Sequence, residues 1–130
     1  MSEPFIFIGT HTIREGKLED FKQQWQELVE VVEAKEQRLI AFNAYVNQDG
    51  TEVSVVQVHP DADSMGFHMQ VARDHISQAY QSVLEETKRI EVYGSPSDAV
   101  LETIRQLAGS QVPLNVRARH LGGFTRTTAA

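Results

Sequence analysis

Residues 39–59 read LIAFNAYVNQDGTEVSVVQVH, and this stretch decides the fold. Two runs rich in β-branched and aromatic residues, 39–47 and 51–59, lie on either side of Gln48-Asp49-Gly50. Such runs are typical of strands, and Asp-Gly between them is a strong signal for a tight hairpin turn. The sequence therefore predicts two antiparallel strands joined by a hairpin turn at residues 48–50.

The facing of this hairpin depends on the length of its turn. A two-residue Asp49-Gly50 loop places Phe42 opposite Gln57 and puts Asn43 and Tyr45 together on the opposite face. A three-residue loop slips the register by one and exchanges the faces of one strand. The pattern alone leaves this choice open.

The segments around the hairpin complete a β-α-β-β-α-β order. Residues 4–13 are predicted to form a strand, whose apolar run Phe5-Ile6-Phe7-Ile8 fits burial on both faces. Apolar residues three and four apart predict helices at about 18–35 and at 64–86, and a short strand follows at 89–94. This is the order of a ferredoxin-like α+β fold, an antiparallel sheet with two helices on one face.

A further helix and strand follow this core. Ser95 is the predicted N-cap of the third helix, Pro96 takes its first position, and Gly109 ends it. Residues 113–120 alternate between apolar and polar side chains, which predicts a half-buried edge strand. We interpret residues 1–130 as one domain, with the ferredoxin-like core at 4–94 and a C-terminal helix-strand extension at 95–126.

The sheet face opposite the two helices needs a cover. Side chains alternate along a strand, so Phe5-Ile6-Phe7-Ile8 places apolar groups on both faces of the sheet. One solution is a homodimer packed sheet to sheet, and the other is the third helix folding back over the open face. The extension also offers an edge strand for a higher oligomer.

Composition excludes several classes of function. The 130 residues contain no cysteine, so disulfides and thiolate chemistry are absent, which suits a cytoplasmic protein. A net charge of −6 disfavours nucleic-acid binding, and no apolar run is long enough to cross a membrane. We expect no metal, because His75 lies seven residues beyond His68 and helical ligands to one metal lie three or four apart.

With this element order, this hairpin and a second helix that opens Ser64-Met65-Gly66-Phe67-His68, the chain resembles the dimeric α/β-barrel superfamily over residues 5–93. Within it, the chain is similar to the antibiotic-biosynthesis-monooxygenase-like group, whose members often carry a histidine near the His68 position. The resemblance implies a homodimer with a pocket between sheet and helices. It also implies a small aromatic or apolar ligand, and cofactor-free oxygenation of a quinol-like substrate. The group's frequent acid-x-tryptophan is replaced here by Gln57-Val58-His59, and haem degradation is disfavoured.

Three residues are the catalytic candidates. His68 lies on the apolar stripe of the second helix, and histidine suits the role of a base or proton shuttle near neutral pH. Asn43 and Tyr45 share one face of a strand, and their side chains can hydrogen-bond an oxyanion. Each also has a plainer interpretation, His68 as a core-edge histidine and the other two as a polar interface pair.

Other side chains are candidates for binding. We expect His11, Trp25 and His75 to line the substrate pocket, although Trp25 also fits a core anchor. Arg117 and Arg119 form a basic cluster that fits an anion or partner contact, or a solvated edge strand.

Two functions of different classes remain open at this point. One is a cofactor-independent monooxygenase, and the other is a non-catalytic ligand-binding or assembly protein on the same scaffold. A cavity containing His68 and a second polar group favours the enzyme, whereas a wholly apolar cavity favours the alternative.

Overall fold

A computed structural model describes residues 3–126 of the chain. In chain order the elements are β1 (Phe5–Ile13), α1 (Leu18–Lys35), β2 (Ala41–Val46), β3 (Glu52–His59), α2 (Ala62–Ser82), β4 (Leu84–Tyr93), α3 (Asp98–Ala108) and β5 (Leu114–Arg117). The predicted β-α-β-β-α-β core with a helix-strand extension is confirmed.

The strands form a single mixed sheet in the order β2-β3-β1-β4-β5. β1 lies at its centre and pairs antiparallel with β3 and with β4. β5 pairs parallel with β4 and occupies one edge, as its alternating sequence predicts. The hairpin strand β2 occupies the other edge, so the sheet ends on one predicted hairpin strand and one extension strand.

The hairpin has the register of a two-residue turn. Phe42 pairs with Gln57, and Val46 with Val53. The loop is longer than two residues, because the strands stop at Val46 and resume at Glu52. Gly50 closes it with φ 74°, a left-handed conformation that favours glycine. Asn47 still pairs with Glu52 beyond the regular strands, because its N–H donates to the Glu52 carbonyl at 3.0 Å. Four residues, 48–51, then form the loop, and four is even like two, so the two faces of the hairpin are those of the shorter turn.

The boundary between α2 and β4 differs from the sequence prediction. The helical pattern predicts α2 up to residue 86 and a strand from 89, whereas α2 ends at Ser82 and β4 begins at Leu84. Leu84, Glu86 and Thr87 pair with the second half of β1, after a register shift beside His11. Long-range pairing thus overrides the local helical pattern. As a result, Thr87 lies directly opposite His11.

Two helix starts also lie away from the predicted positions. The sequence pattern predicts Asp63 or Ser64 as the N-cap of α2, whereas Asp61 caps it by accepting the Ser64 N–H at 3.0 Å. Ser97, not Ser95, caps α3 by accepting the N–H of Val100 at 3.1 Å. In both cases a residue two positions away fits the same pattern, so the sequence identifies the type of cap but not the residue. Gly109 ends α3 as predicted, with φ 103°.

All three helices lie on one face of the sheet. Val100 and Ile104 of α3 pack in one cluster with Met65 and Met69 of α2 and with inward side chains of β1 and β4. The third helix therefore widens the helical layer and leaves the opposite sheet face open. The centre of that open face holds the half-buried side chains Ile6, Ile8, Val56 and Val58. Within residues 3–126, no helix is both long enough and apolar enough to cross a membrane.

Candidate functional site

A cavity of about 100 Å³ lies between the helices and the inner face of the sheet. Most of its wall is apolar, contributed by β1–β4 and by all three helices. Six polar or aromatic-polar side chains interrupt this wall: His11, Trp25, Gln57, His68, His75 and Tyr80. An apolar space with a few polar groups is the usual form of a small-molecule site, and this one is small for its kind.

A buried histidine–carboxylate pair occupies one end of the cavity. His68 is 1% exposed, and its Nδ1 lies 3.0 and 2.9 Å from the two carboxylate oxygens of Glu36. A carboxylate only accepts hydrogen bonds, so Nδ1 carries the proton and donates it. In the neutral ring the lone pair is therefore on Nε2. Among the described residues, no hydrogen-bond partner occupies Nε2.

Glu36 reaches His68 from the end of α1. It is the C-cap residue, and its N–H donates to the carbonyl of Val32 while its own φ of −116° turns the chain away from the helix. A carboxylate at a helix C-terminus is unfavourable, because the helix dipole places negative charge there. Glu36 is nevertheless only 5% exposed. The single Nδ1–H of His68, shared between the two carboxylate oxygens, compensates this burial.

A second buried histidine orients Gln57 beside this pair. Burial, with nearby His68 as the second cause, lowers the pKa of His59 to about 3, so the ring is neutral at pH 7. Ser64 Oγ lies 2.7 Å from Nδ1, and Gln57 Oε1 lies 2.9 Å from Nε2. Because the amide oxygen accepts from Nε2–H, the Ser64 hydroxyl donates to Nδ1. Gln57 is then left with its amide N–H groups as donors on the cavity wall.

Aromatic rings frame the same end. The Phe42 ring lies edge-on to His68 with centroids 5.1 Å apart, and Trp25 stacks on Phe42 at 4.6 Å. Phe21 continues the stack at 6.3 Å from Trp25. These faces suit a flat apolar group beside the histidine.

The other end of the cavity holds a third histidine. His11 Nδ1 lies 2.9 Å from the hydroxyl oxygen of Thr87, and the Thr87 hydroxyl donates to Tyr80 Oη at 3.2 Å. Burial lowers the pKa of His11 to about 4 and raises the pKa of Tyr80. Both groups are therefore neutral near pH 7.

His75 lies on the cavity wall between the two ends. Its Nδ1 is buried and has no hydrogen-bond partner within residues 3–126, and the same holds for Oε1 of Gln24. Both residues also line a cavity of about 30 Å³ between α1 and α2, next to the main one. Buried polar atoms usually have hydrogen-bond partners. The small cavity beside these two atoms therefore suits a polar atom of a ligand or a water molecule.

Several sequence-predicted residues lie together in the structure. His11, Trp25, His68 and His75 all line the cavity. Their roles in binding or catalysis stay predictions.

The expected grouping of Asn43 and Tyr45 with His68 is wrong. Both lie on the open face of β2, and Tyr45 is 62% exposed. Strand alternation gives the reason, since Phe42 and Ala44 face the helices. Arg117 and Arg119 also lie outside the cavity, and the Arg117 guanidinium lies over the Tyr93 ring at 5.7 Å.

Four residues of the site were missed in the sequence. Tyr80 fits the apolar stripe of the predicted second helix, and Thr87 lies at the predicted boundary after that helix. Gln57 served only to define the hairpin register and as a departure from the related group. Glu36 carried a usable signal, because an acid that follows the last turn of a helix is unfavourable unless it has a partner. In the part of the chain that the structure describes, no three potential ligands cluster in a way that would hold a metal ion.

Comparison with known proteins identifies the fold. No family model and no curated protein matches the sequence. MupZ from Pseudomonas fluorescens is a structural match, with a TM-score of 0.71 at 21% identity over 100% of this chain and 94% of that one. Because the match spans the whole chain, the C-terminal extension has a counterpart there.

Other matches cover mainly the ferredoxin-like core. A candidate antibiotic biosynthesis monooxygenase from Caulobacter crescentus CB15 aligns with a TM-score of 0.63 at 13% identity, over 70% of this chain and 88% of that one. Rv0793 from Mycobacterium tuberculosis aligns with a TM-score of 0.61 at 12% identity, over 75% and 99%. The chain has the fold of the antibiotic biosynthesis monooxygenase-like group. At these identities the likeness concerns the fold alone.

Proposed function

We propose that the protein is a small-molecule enzyme in which His68 takes a proton from an aromatic or quinol-like substrate bound in the cavity. The observation that carries this proposal is the buried His68–Glu36 pair on the wall of an apolar cavity. A base held in one tautomer by a carboxylate is a recurrent catalytic arrangement. The finer form of the proposal is a cofactor-free monooxygenase.

His68, Glu36 and Gln57 provide the base, the carboxylate and the hydrogen-bond donor that a proton abstraction needs. His68 Nε2 accepts a proton from a hydroxyl or an activated methylene group, and Glu36 stabilises the imidazolium through Nδ1–H. An amide N–H of Gln57 donates to the oxyanion that forms. Most of the remaining wall is apolar, which strengthens both interactions by excluding water.

Oxygenation follows from the same anion. The carbanion form of an activated methylene transfers electrons to dioxygen and forms a peroxide at that carbon. Loss of water then leaves a carbonyl group, so that CH₂ and O₂ give C=O and H₂O. The substrate supplies all four electrons, and the proton held by His68 leaves with the water.

Removing the imidazole tests this proposal. Oxygen uptake is measured with a panel of hydroxylated aromatic compounds for the parent chain, His68→Ala, and the control His120→Ala, whose side chain is exposed outside the cavity. We expect His68→Ala to lower turnover by about 10²- to 10⁴-fold, the usual contribution of a general base. The control should match the parent.

Two results would contradict the proposal. The assignment of His68 is wrong if His68→Ala binds and turns over the same compounds as well as the parent does. A parent chain that binds them without consuming oxygen or exchanging a substrate proton would instead fit the non-catalytic ligand-binding protein.

We also infer that a second copy of the chain covers the open sheet face. Three helices lie on the other face, so Ile8 and Val56 have no cover within residues 3–126 other than their neighbours in the sheet. Sedimentation should give a dimer for the parent and a monomer for Val56→Glu. The control Phe67→Glu, at a 49% exposed position on α2, should remain dimeric. A monomeric parent would contradict the inference.

A further inference from the structure

We infer that the Tyr80 hydroxyl is the hydrogen-bond donor at the cavity end remote from His68, and that it selects ligands with an oxygen acceptor, such as a carbonyl, at that end. The inference rests on the proposed function, since it requires a small ligand in this cavity. Tyr80 belongs to α2, and its hydroxyl is joined to Thr87 on β4 and through it to His11 on β1.

The direction of these hydrogen bonds leaves one proton free. Threonine has a single hydroxyl proton, and Thr87 donates it to Tyr80 Oη at 3.2 Å. Thr87 Oγ1 therefore accepts from His11 Nδ1–H, at 2.9 Å. Since Tyr80 Oη accepts from Thr87, its own proton is available to a third group. Tyr80 lines the cavity, and a ligand acceptor there would complete the chain.

The protonation of both end groups supports donation. Burial lowers the pKa of His11 to about 4, so at pH 7 the ring keeps a single N–H, which Thr87 uses. Burial also raises the pKa of Tyr80, so the phenol keeps its proton. Neither group needs to ionise for the hydroxyl to donate, and this end of the site is a neutral donor rather than a second base.

The tyrosine is held in place before any ligand binds. Its carbonyl accepts from Arg14 Nη2 at 3.1 Å, and its ring lies edge-on to His11 with centroids 5.6 Å apart. Gly9 leaves the room that the imidazole needs, because a Cβ there would lie 3.1 Å from His11 Nε2. A donor fixed in advance loses little conformational entropy when it binds an acceptor.

The separation of the two ends constrains the ligand. His68 and Tyr80 are twelve residues apart on one helix, about 18 Å along its axis. This spacing is several times the width of one aromatic ring, so a ligand that reaches both positions is longer than a single ring. The ligand class is therefore an elongated molecule, with an acidic proton near His68 and an oxygen acceptor near Tyr80.

A matched pair of probes tests the donor without any turnover. Acetophenone and α-methylstyrene have nearly the same shape, but only the first has a carbonyl acceptor. Their affinities are measured by calorimetry and by the fluorescence of Trp25, the single tryptophan of the chain, which lines the cavity. We expect the parent to prefer acetophenone by about 2- to 10-fold, the range for one hydrogen bond, and Tyr80→Phe to lose this preference.

Two further variants separate positioning from folding. Thr87→Val removes the hydroxyl that orients Tyr80 and should weaken the preference, whereas Thr87→Ser keeps a hydroxyl and should restore it. A preference that survives in Tyr80→Phe overturns the inference, and so does a parent that binds neither probe or binds both equally. These readouts are affinity ratios, so they stay distinct from the oxygen-uptake test of His68.

Discussion

The two ends of the cavity both hold a buried histidine whose Nδ1 is hydrogen-bonded, but the partners differ. At one end the partner of His68 is the carboxylate of Glu36, and at the other the partner of His11 is the hydroxyl of Thr87. A carboxylate stabilises the protonated ring, whereas a hydroxyl gives it no charge to pair with. Similar histidines on one cavity wall thus have different surroundings, which suit the proposed base at one end and a neutral hydrogen-bonded ring at the other.

His59 is a third buried histidine and extends the comparison between His68 and His11. It lies beside His68, with ring centroids 5.9 Å apart, yet its partners are the neutral groups of Ser64 and Gln57. Its lowered pKa has the same first cause as that of His11, which is burial. The partner, rather than the depth of burial, distinguishes the proposed base from the other two rings.

The largest expected effect comes from removing the charge of Glu36. Glu36→Gln keeps the shape and an oxygen acceptor for Nδ1–H but removes the negative charge that stabilises the imidazolium. We expect turnover to fall by about 10²- to 10⁴-fold, because the base loses most of its advantage. Oxygen uptake with the panel of hydroxylated aromatics measures this.

Thr87→Val is the matched change at the other end. It should lower turnover far less than Glu36→Gln does, because it leaves the base and its carboxylate in place. Equal losses in the two variants would mean that the two ends do not differ in the way proposed.

The next effect is the dependence of stability on pH. His11 has a pKa of about 4 in the folded chain and 6.5 as its ordinary value. Below pH 6.5 the unfolded chain therefore binds a proton that the folded chain does not, and the free energy of unfolding falls as the pH falls towards 4. The contribution is about 1.4 kcal/mol per pH unit over that window, and His59 adds a similar slope that continues to lower pH.

Replacing His11 measures its own contribution to the pH dependence of the free energy of unfolding. Chemical denaturation of His11→Asn between pH 7 and about pH 4 should give a slope smaller than that of the parent by about 1.4 kcal/mol per pH unit. Asn43→Ala removes no titrating group, so its free energy of unfolding should change with pH by the same slope as that of the parent. If the profile of His11→Asn is also parallel, His11 is not the buried neutral ring described above.

The outline of the fold was predictable because it depends on local patterns. The hairpin, the spacing in both long helices and the stop at Gly109 are each encoded within a few residues. The β4 start was not, since residues 84–88 become a strand only by pairing with β1. The site depends on the same kind of distant contact. Glu36 and His68 are 32 residues apart and His11 and Thr87 are 76 apart, so no sequence spacing joins them.

A smaller effect is expected from the support of the neutral ring near the base. Ser64→Ala removes the hydroxyl that donates to His59 Nδ1 and leaves a buried acceptor without its partner. The free energy of unfolding should fall by about 1 to 3 kcal/mol. Chemical denaturation at pH 7 measures the loss. The cap of α2 survives, because the bond of Asp61 uses the backbone N–H of Ser64.

Ser97→Ala is a useful reference for this change. It removes a hydroxyl that only caps α3, and should cost about 1 kcal/mol. If Ser64→Ala costs no more than this, the hydrogen bond to His59 adds nothing measurable.

The smallest effect is expected at Asn43, which sequence reasoning grouped with His68. It is exposed on the outer face of β2, so Asn43→Ala should change the free energy of unfolding by less than about 0.5 kcal/mol. Turnover should also stay within about twofold of the parent, because the side chain lies outside the cavity and changes the activation free energy by no more than about 0.5 kcal/mol. Gln57→Leu is the matched change on the inner face and should lower turnover by about tenfold or more, because it removes the amide donor beside the base. A large loss in Asn43→Ala would mean that the outer face reaches a substrate after all. Since strand alternation keeps that side chain out of its own cavity, only a neighbouring copy packed on the open face would then bring the two together.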